Sequence, residues 1–294
     1  MIGASLSGVT LMSVPGNVGS TQFTYMMLVA GFFFGYLVIA TVLMPLYYRL
    51  NLTSIYSYLD QRFGFWSYKT GSFFFILSRT IGASFRMFLV INVLHIFVFQ
   101  QWGLPFWVSV SIFILLIILY TFKGGIKTII WTDTLQTTFM LLAVILTLYL
   151  IIKGMDISLS QLVTQVFNSD YSEVIVSDWT ARNHWLKQFF AGMFICIVMT
   201  GLDQEMMQKN LSCRNLKDAQ KNMITFSLIL ILVNFIFLFL GATLFTYAHA
   251  EGIAIPAHTD DLFPTLAIQS LGPLAGLVFL IGLISAAYPS ADGA

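Results

Sequence analysis

The sequence predicts an all-α, polytopic membrane protein, and three observations carry that expectation. Of its 294 residues 58% are hydrophobic and only 9% are charged, too few charges to wet the surface of a soluble domain. Apolar runs of about 20 residues, the length that crosses a hydrocarbon core of about 30 Å, recur along the chain. The charges fall mainly between those runs, with the basic ones on alternate connections.

By length the runs number about eight: 1–19, 22–48, 70–99, 104–122, 126–152, 187–208, 222–248 and 272–294. The first is weakly apolar and is expected to break around Ser13-Val14-Pro15-Gly16. The last stops in mid-span, so a larger protein cut at both ends is expected. Residues 53–69 (TSIYSYLDQRFGFWSYK) are amphipathic and basic, and should lie along the interface. Residues 123–127 (KGGIK) form a tight turn, and 209–221 (KNLSCRNLKDAQK) a third basic connection. With Arg49, these three hold nine of the fourteen Lys and Arg residues. The opposite connections carry Lys153, Arg182 and Lys187 against seven acids, among them Asp170, Glu173, Asp260 and Asp261. Basic excess on short connections marks the cytoplasmic side, which places 153–186 and 249–271 outside.

Several classes lose support at once. No CxxC, HExxH or GxSxG pattern occurs, and Cys196 and Cys213 fit neither a disulfide framework nor a metal site. A net charge of +1 gives no pointer to nucleic acid. The first fifteen residues lack the basic start and cleavage site of a signal peptide. A membrane enzyme would need a nucleophile–base pair or metal cluster at midplane depth, whereas His95, His184, His249 and His258 fall near or beyond the outer surface. The protein is therefore not expected to be an enzyme.

Ionisable groups inside spans are costly and point to function or to helix-to-helix pairing. Arg79 and Arg86 lie seven residues apart on one helical face, where pairing with a carboxylate would hold helices together. Asp203 and Glu205 lie near the inner end of the sixth run. Asp133 shares its helix with Thr132, Thr134, Gln136, Thr137 and Thr138, a cluster that calls for a wet or cation-bearing environment. Interruptions supply a second clue. The first and sixth runs, five helices apart, carry Pro15-Gly16 and Thr200-Gly201. Paired breaks in corresponding helices of an inverted repeat point to a solute and ion site; small residues also simply let helices pack closely. In the eighth run Pro289 has no N–H, which frees the Ser285 carbonyl. Ala286 and Ser290 share a face, and a carbonyl beside a hydroxyl suits a hard cation. Asp292 lies on the face of Ser285, Tyr288 and Pro289. A proline kink without a ligand is the alternative.

Several segments resemble one family. GGIKTIIWTDTLQ (124–136) is similar to the hallmark segment of the sodium/solute symporters, which include the sodium-coupled glucose, proline and sialic acid transporters. SIYSYLDQRFG (54–64), LSRTIGASFRMFLVINVL (77–94), GLDQEMMQKNLSCRNLKDAQK (201–221) and SLSGVTLMSVPG (5–16) are also similar, in the right order along the chain. The resemblance implies a LeuT-type fold of two inverted five-helix repeats, with 1–152 the first repeat and 187–294 part of the second, in one transporter domain. It implies a leading helix and a ninth and tenth core helix that this sequence lacks.

It also implies a sodium site on Gly3, Leu6, Ala286, Pro289 and Ser290, with sodium as the co-transported ligand and no other cofactor. Pro289 departs from the hydroxyl residue that many members carry. Asp133 matches the family's aspartate tied to sodium release or to a second cation, and Asp292 falls where members with a second sodium have a hydroxyl. Those two acids are expected to frame a second cation or coupling site. The solute pocket would be lined by Thr10, Ser13, Cys196, Met199 and Thr200. Thr10 replaces the Gln of the sugar transporters and Met199 their aromatic gate, a less polar set that makes a simple hexose doubtful. Arg79, Asp203 and Gln204 are expected at the inner gate or in a structural role. The expected protein is a multi-pass symporter of the plasma (inner) membrane, importing a small polar organic solute by alternating access. The alternative is a transporter-like sensor domain fused to a signalling module.

Overall fold

The computed structural model describes residues 7–52, 54–121 and 125–292, with the side chains of 120–133, 205 and 287–292 outside that description. The regular structure of the described residues is helical, with no strand among them. α1 (Gly8–Thr21) starts on a reciprocal cap. The Thr10 amide donates to Ser7 Oγ at 3.4 Å and the Ser7 amide to Thr10 Oγ1 at 3.3 Å, satisfying two donors the helix start leaves open. The break expected at residues 13–16 does not occur: α1 runs through Pro15. Proline costs one helical bond but fits helical φ, and tight packing on both sides holds the segment. Gly16 lies against the Thr259 backbone, and the Pro15 carbonyl lies against Gly241.

Gln22, at φ +56°, ends α1. α2 (Tyr25–Val38) then passes through a π turn, Ile39–Leu43, into α3 (Met44–Arg49). α4 (Ser57–Phe63) stops at Gly64, whose φ of +83° a side chain would resist. α5 (Phe65–Leu94) extends through a π turn, His95–Phe99. α6 (Phe106–Thr121), α7 (Gly125–Gly154) and the short amphipathic α8 (Leu159–Phe167) follow. α9 (Trp185–Cys196) runs into a π turn, Ile197–Gly201, and Leu202 leaves helical geometry before α10 (Gln204–Leu211). The sixth run is thus interrupted where Thr200-Gly201 predicts. α11 (Leu216–Ala250), α12 (Leu262–Thr265) and α13 (Pro273–Asp292) complete the chain.

Among the described residues four stretches are long and apolar enough to cross a membrane: Gly8–Arg49, Phe65–Trp102, Thr134–Gly154 and Leu216–Ala250. The first holds two of the eight expected runs. Three others fall on shorter apolar helices, Phe106–Leu119, Trp185–Gly201 and Pro273–Ala286. Large apolar side chains along these helices, such as Ile118, Leu119, Phe194 and Leu232, stand exposed, as a lipid-facing surface requires.

The chain folds as two compact units. In the first, residues 23–81 and 173–235, α2 and α9 meet on glycines. A Cβ on Gly31 would strike the Phe189 carbonyl, one on Gly192 the Leu28 carbonyl, and one on Gly35 the Cys196 Cβ. Small residues four apart let helix backbones touch where lipid offers no hydrophobic drive. The second unit takes its described residues from 2–22, 82–172 and 236–294, and α13 packs along α7. Gly282 faces the Phe139 carbonyl and the Ala143 methyl.

Candidate functional site

In the first unit the polar residues gather at the break after α9. Asp203 caps α10, its Oδ1 accepting the Met206 amide at 3.0 Å. The same carboxylate pairs with Arg79 on α5: Nε donates to Oδ2 at 2.9 Å and Nη2 lies on Oδ1. The guanidinium also lies 5.7 Å from the centre of the Phe75 ring. Only 18% of the Arg79 side chain and 12% of that of Asp203 are exposed, so each charge depends on the other. The adjacent Gln204 accepts the Ile55 amide on Oε1 at 2.9 Å, tying the connection before α4 to the start of α10. The Tyr56 phenol is held above its ordinary pKa by burial and, secondarily, by the Asp203 carboxylate, with Arg79 opposing. Of the three residues singled out in the sequence, Arg79 and Asp203 meet in space, and Gln204 bonds Ile55 instead.

Just before the break, Cys196 and Thr200 share the inward face of the helix, 4% and 5% exposed, whereas Met199 is 57% exposed and points away from them. Cys196 packs on Gly35 and lies in hydrogen-bonding reach of Tyr36 and Thr200. The Gly201 carbonyl, which no helix continues past, accepts from Tyr47 Oη at 2.9 Å.

In the second unit α1 carries Thr10 and Ser13, both half-buried. The Thr10 hydroxyl serves the start of α1, as above. Ser13 Oγ donates to Asp260 Oδ2 at 2.8 Å, a contact across 247 residues that sequence reading did not find. The 259–261 turn is seated on α1 by the same approach that places Thr259 against Gly16. Asp261 is held above the usual carboxylate range by burial, with Asp260 adding to the effect and His258 opposing it. At its start α1 meets α13 and α5: a Cβ on Gly8 would lie 3.6 Å from the Ala286 Cβ, 3.3 Å from Leu283 Cδ1 and 2.8 Å from Val90 Cγ2. Ala286, 1% exposed, therefore stands beside the beginning of α1. Gly3 and Leu6 lie outside the described residues, as do the side chains of Pro289, Ser290, Asp133 and Asp292, although the last four positions are helical in α13 and α7. Among the described residues no group of three or more His, Cys, Asp or Glu is placed to hold a metal ion.

An interrupted helix with a shielded ion pair beside it thus lies in a chain with several membrane-length helices. The sodium:solute symporter family profile matches residues 1–291. The chain belongs to that family. It is 24% identical over 293 residues to the sodium/sialic acid symporter SiaT of Proteus mirabilis (strain HI4320), covering 97% of this chain and 58% of that protein. It is 26% identical, again over 293 residues, to the sodium/sialic acid symporter NanT of Aliivibrio fischeri (strain ATCC 700601 / ES114), covering 97% of this chain and 56% of that one. The fold is similar to a solved substrate-bound outward-open state of a Na+-coupled sialic acid symporter. There the TM-score is 0.84 at 24% identity, over 99% of this chain and 62% of the other. The chain thus spans a little over half the length of these two relatives.

Proposed function

We propose that the protein is a sodium-coupled secondary transporter of the plasma (inner) membrane that imports a small polar organic solute by alternating access on a LeuT-type inverted-repeat fold. The observation that carries this reading is the interruption after α9. A helix broken at Gly201, with a shielded Arg79–Asp203 pair capping its continuation, is a costly arrangement in an apolar unit. It belongs here to a chain of a sodium symporter family.

Sodium would be held by the Gly3 and Leu6 carbonyls with Ala286, Pro289 and Ser290, a set to which the approach of Gly8 to Ala286 is favourable. Asp133 and Asp292 would frame a second cation. By the family resemblance, Thr10, Ser13, Cys196, Met199 and Thr200 would be the residues that contact the solute. Coupling follows if sodium binds one of two conformations more tightly than the other, since it can shift the equilibrium only by that difference. Moving one net positive charge inward gains about 2.3 kcal/mol per 100 mV. Thermal unfolding of the full-length protein in sodium against potassium tests the reading. Sodium at a hundred times its dissociation constant should add about 2.7 kcal/mol, and Ser290→Ala should remove the gain. Equal stability in both salts would overturn it.

A further inference from the structure

The first unit contains two π turns that touch. A Cβ on Gly201, the last residue of Ile197–Gly201, would lie 2.6 Å from Leu43 Cδ1 and 2.9 Å from Ile39 Cγ1, both in Ile39–Leu43. In the latter turn the Met44 amide donates five residues back, to the Ile39 carbonyl. Continued by one residue, that register would give the Ala40 carbonyl to residue 45. Residue 45 is proline and has no N–H to offer. The orphaned carbonyl is filled from α11, where Gln220 Nε2 donates to it at 2.8 Å. The second turn leaves the Gly201 carbonyl open, and Tyr47 Oη fills it. The next residue on α3, Tyr48, donates to the carbonyls of Asn210 and Cys213 at 3.1 and 3.2 Å. α3 therefore bonds the chain on both sides of α10, at Gly201 before it and at Asn210 and Cys213 around its end.

We propose that Gln220 and Tyr47 are positioning residues of the transport cycle, holding the two π turns as a paired hinge in the arrangement where Arg79 is joined to Asp203. Residues 39–44 have two available registers. In one, Met44 bonds Ile39 and Gln220 supplies Ala40. In the other, Met44 bonds Ala40 in the ordinary α pattern and Gln220 is released. Two discrete arrangements of a packed element are what a switch requires. When Gln220 and Tyr47 let go, α3 and α10 swing together, because Tyr48 still binds the far end of α10. This rests on the alternating-access reading above.

The test uses the full-length protein in membrane vesicles, with Cys213→Ser to leave Cys196 as the reporter thiol within this chain. Cys196 directly precedes the second π turn and is nearly inaccessible. The probes are N-ethylmaleimide and sodium. Gln220→Met and Tyr47→Phe should each speed Cys196 labelling about tenfold, the effect of leaving one buried carbonyl unmet. Each should also raise the sodium concentration that half-protects the thiol by a similar factor, as a smaller binding-competent population dictates. Adding Pro45→Ala to Gln220→Met restores an N–H for Ala40 and should return both values to within about twofold of the parent. A merely structural glutamine would lower thermal stability without moving the sodium midpoint. Unchanged labelling in both single variants, or no suppression by Pro45→Ala, overturns the proposal. Should Gln220→Met fail to fold, Tyr47→Phe decides alone. Loss of sodium protection in the parent protein would instead count against the symport reading, since the labelling rates without sodium still report the hinge.

Discussion

The guanidinium of Arg79 grips the carboxylate of Asp203 at two points while the same carboxylate caps α10. The single acid thereby sets both where the interrupted helix resumes and which helix it is fastened to. A two-point Arg–carboxylate pair fixes direction as well as distance, so α5 and the start of α10 are held in one orientation.

Removing that acid should separate its two roles. Asp203→Ala deletes the cap and takes the carboxylate from a shielded arginine, at a cost of about 2–4 kcal/mol. Asp203→Asn keeps a capping oxygen and should cost roughly half as much. Arg79→Lys keeps the charge but loses the fork, and should fall between the parent and Asp203→Ala. Thermal unfolding of the full-length protein in potassium chloride, where sodium binding does not intervene, would give this order. Equal losses for Asp203→Ala and Asp203→Asn would show that the cap contributes nothing.

Glycines in contact with backbone should behave differently from glycines in open space. Gly31→Ala and Gly192→Ala drive a methyl into the facing carbonyls of Phe189 and Leu28, and each should destabilise the α2–α9 pair by about 1–3 kcal/mol. Gly82→Ala meets no atom within 4 Å and should be neutral or stabilising by up to about 1 kcal/mol. The midpoint of thermal unfolding in detergent distinguishes the two groups.

The bond from Ser13 to Asp260 should govern how firmly the 259–261 turn sits on α1. Ser13→Ala removes the donor and should speed amide exchange across 258–262 about tenfold, on the order expected for a lost hydrogen bond to a charged acceptor. Exchange in α2, which makes no part of this contact, should not change. Hydrogen exchange read by mass spectrometry would report both segments together.

Asp261 should give the protein an acid-side signature. Its folded pKa lies above the unfolded value, so the folded state binds the extra proton between the two values. Stability therefore falls as pH rises from the ordinary carboxylate pKa through the folded one, and the loss is complete above it. Asp261→Asn should be indistinguishable from the parent at the acid end of that window and more stable than it at neutral pH. His258 and Asp260 flank the group, so the comparison is made in their presence, by unfolding midpoints across pH 3–7 (a window of about four units set by carboxylate titration). A variant that loses stability at neutral pH would reverse the sign.

Much of the first unit's polar end was legible from residue types alone. An arginine in a span calls for an acid, and Asp203 was one of few acids near the inner end of the spans. That Arg79 chooses Asp203 across 124 residues could not be read from spacing, because nothing local links the two. The break at Gly201 was visible as a small pair in an apolar run. The break expected at Pro15 was not found, because the packing of Gly16 and Gly241 decides whether a missing bond bends a helix. The family resemblance points to Thr10 and Ser13 as pocket residues, and here one hydroxyl serves the start of its own helix and the other an acid from a distant turn. Gln220 carried no sequence signal at all. Its role depends on Pro45 having emptied a carbonyl on another helix.

By itself the sequence determined the all-helical class, the apolar lengths that a bilayer demands, the family, and the few charged residues whose burial requires a reason. These follow from local composition, because transfer of a side chain or a backbone group into lipid is a property of that segment. The tertiary structure alone decided which acid meets Arg79, that Cys196 faces inward while Met199 does not, and where the carbonyls freed by Pro45 and Gly201 find donors. Each of these is a pairing between distant segments, and its energy exists only once both partners have been brought to the same place.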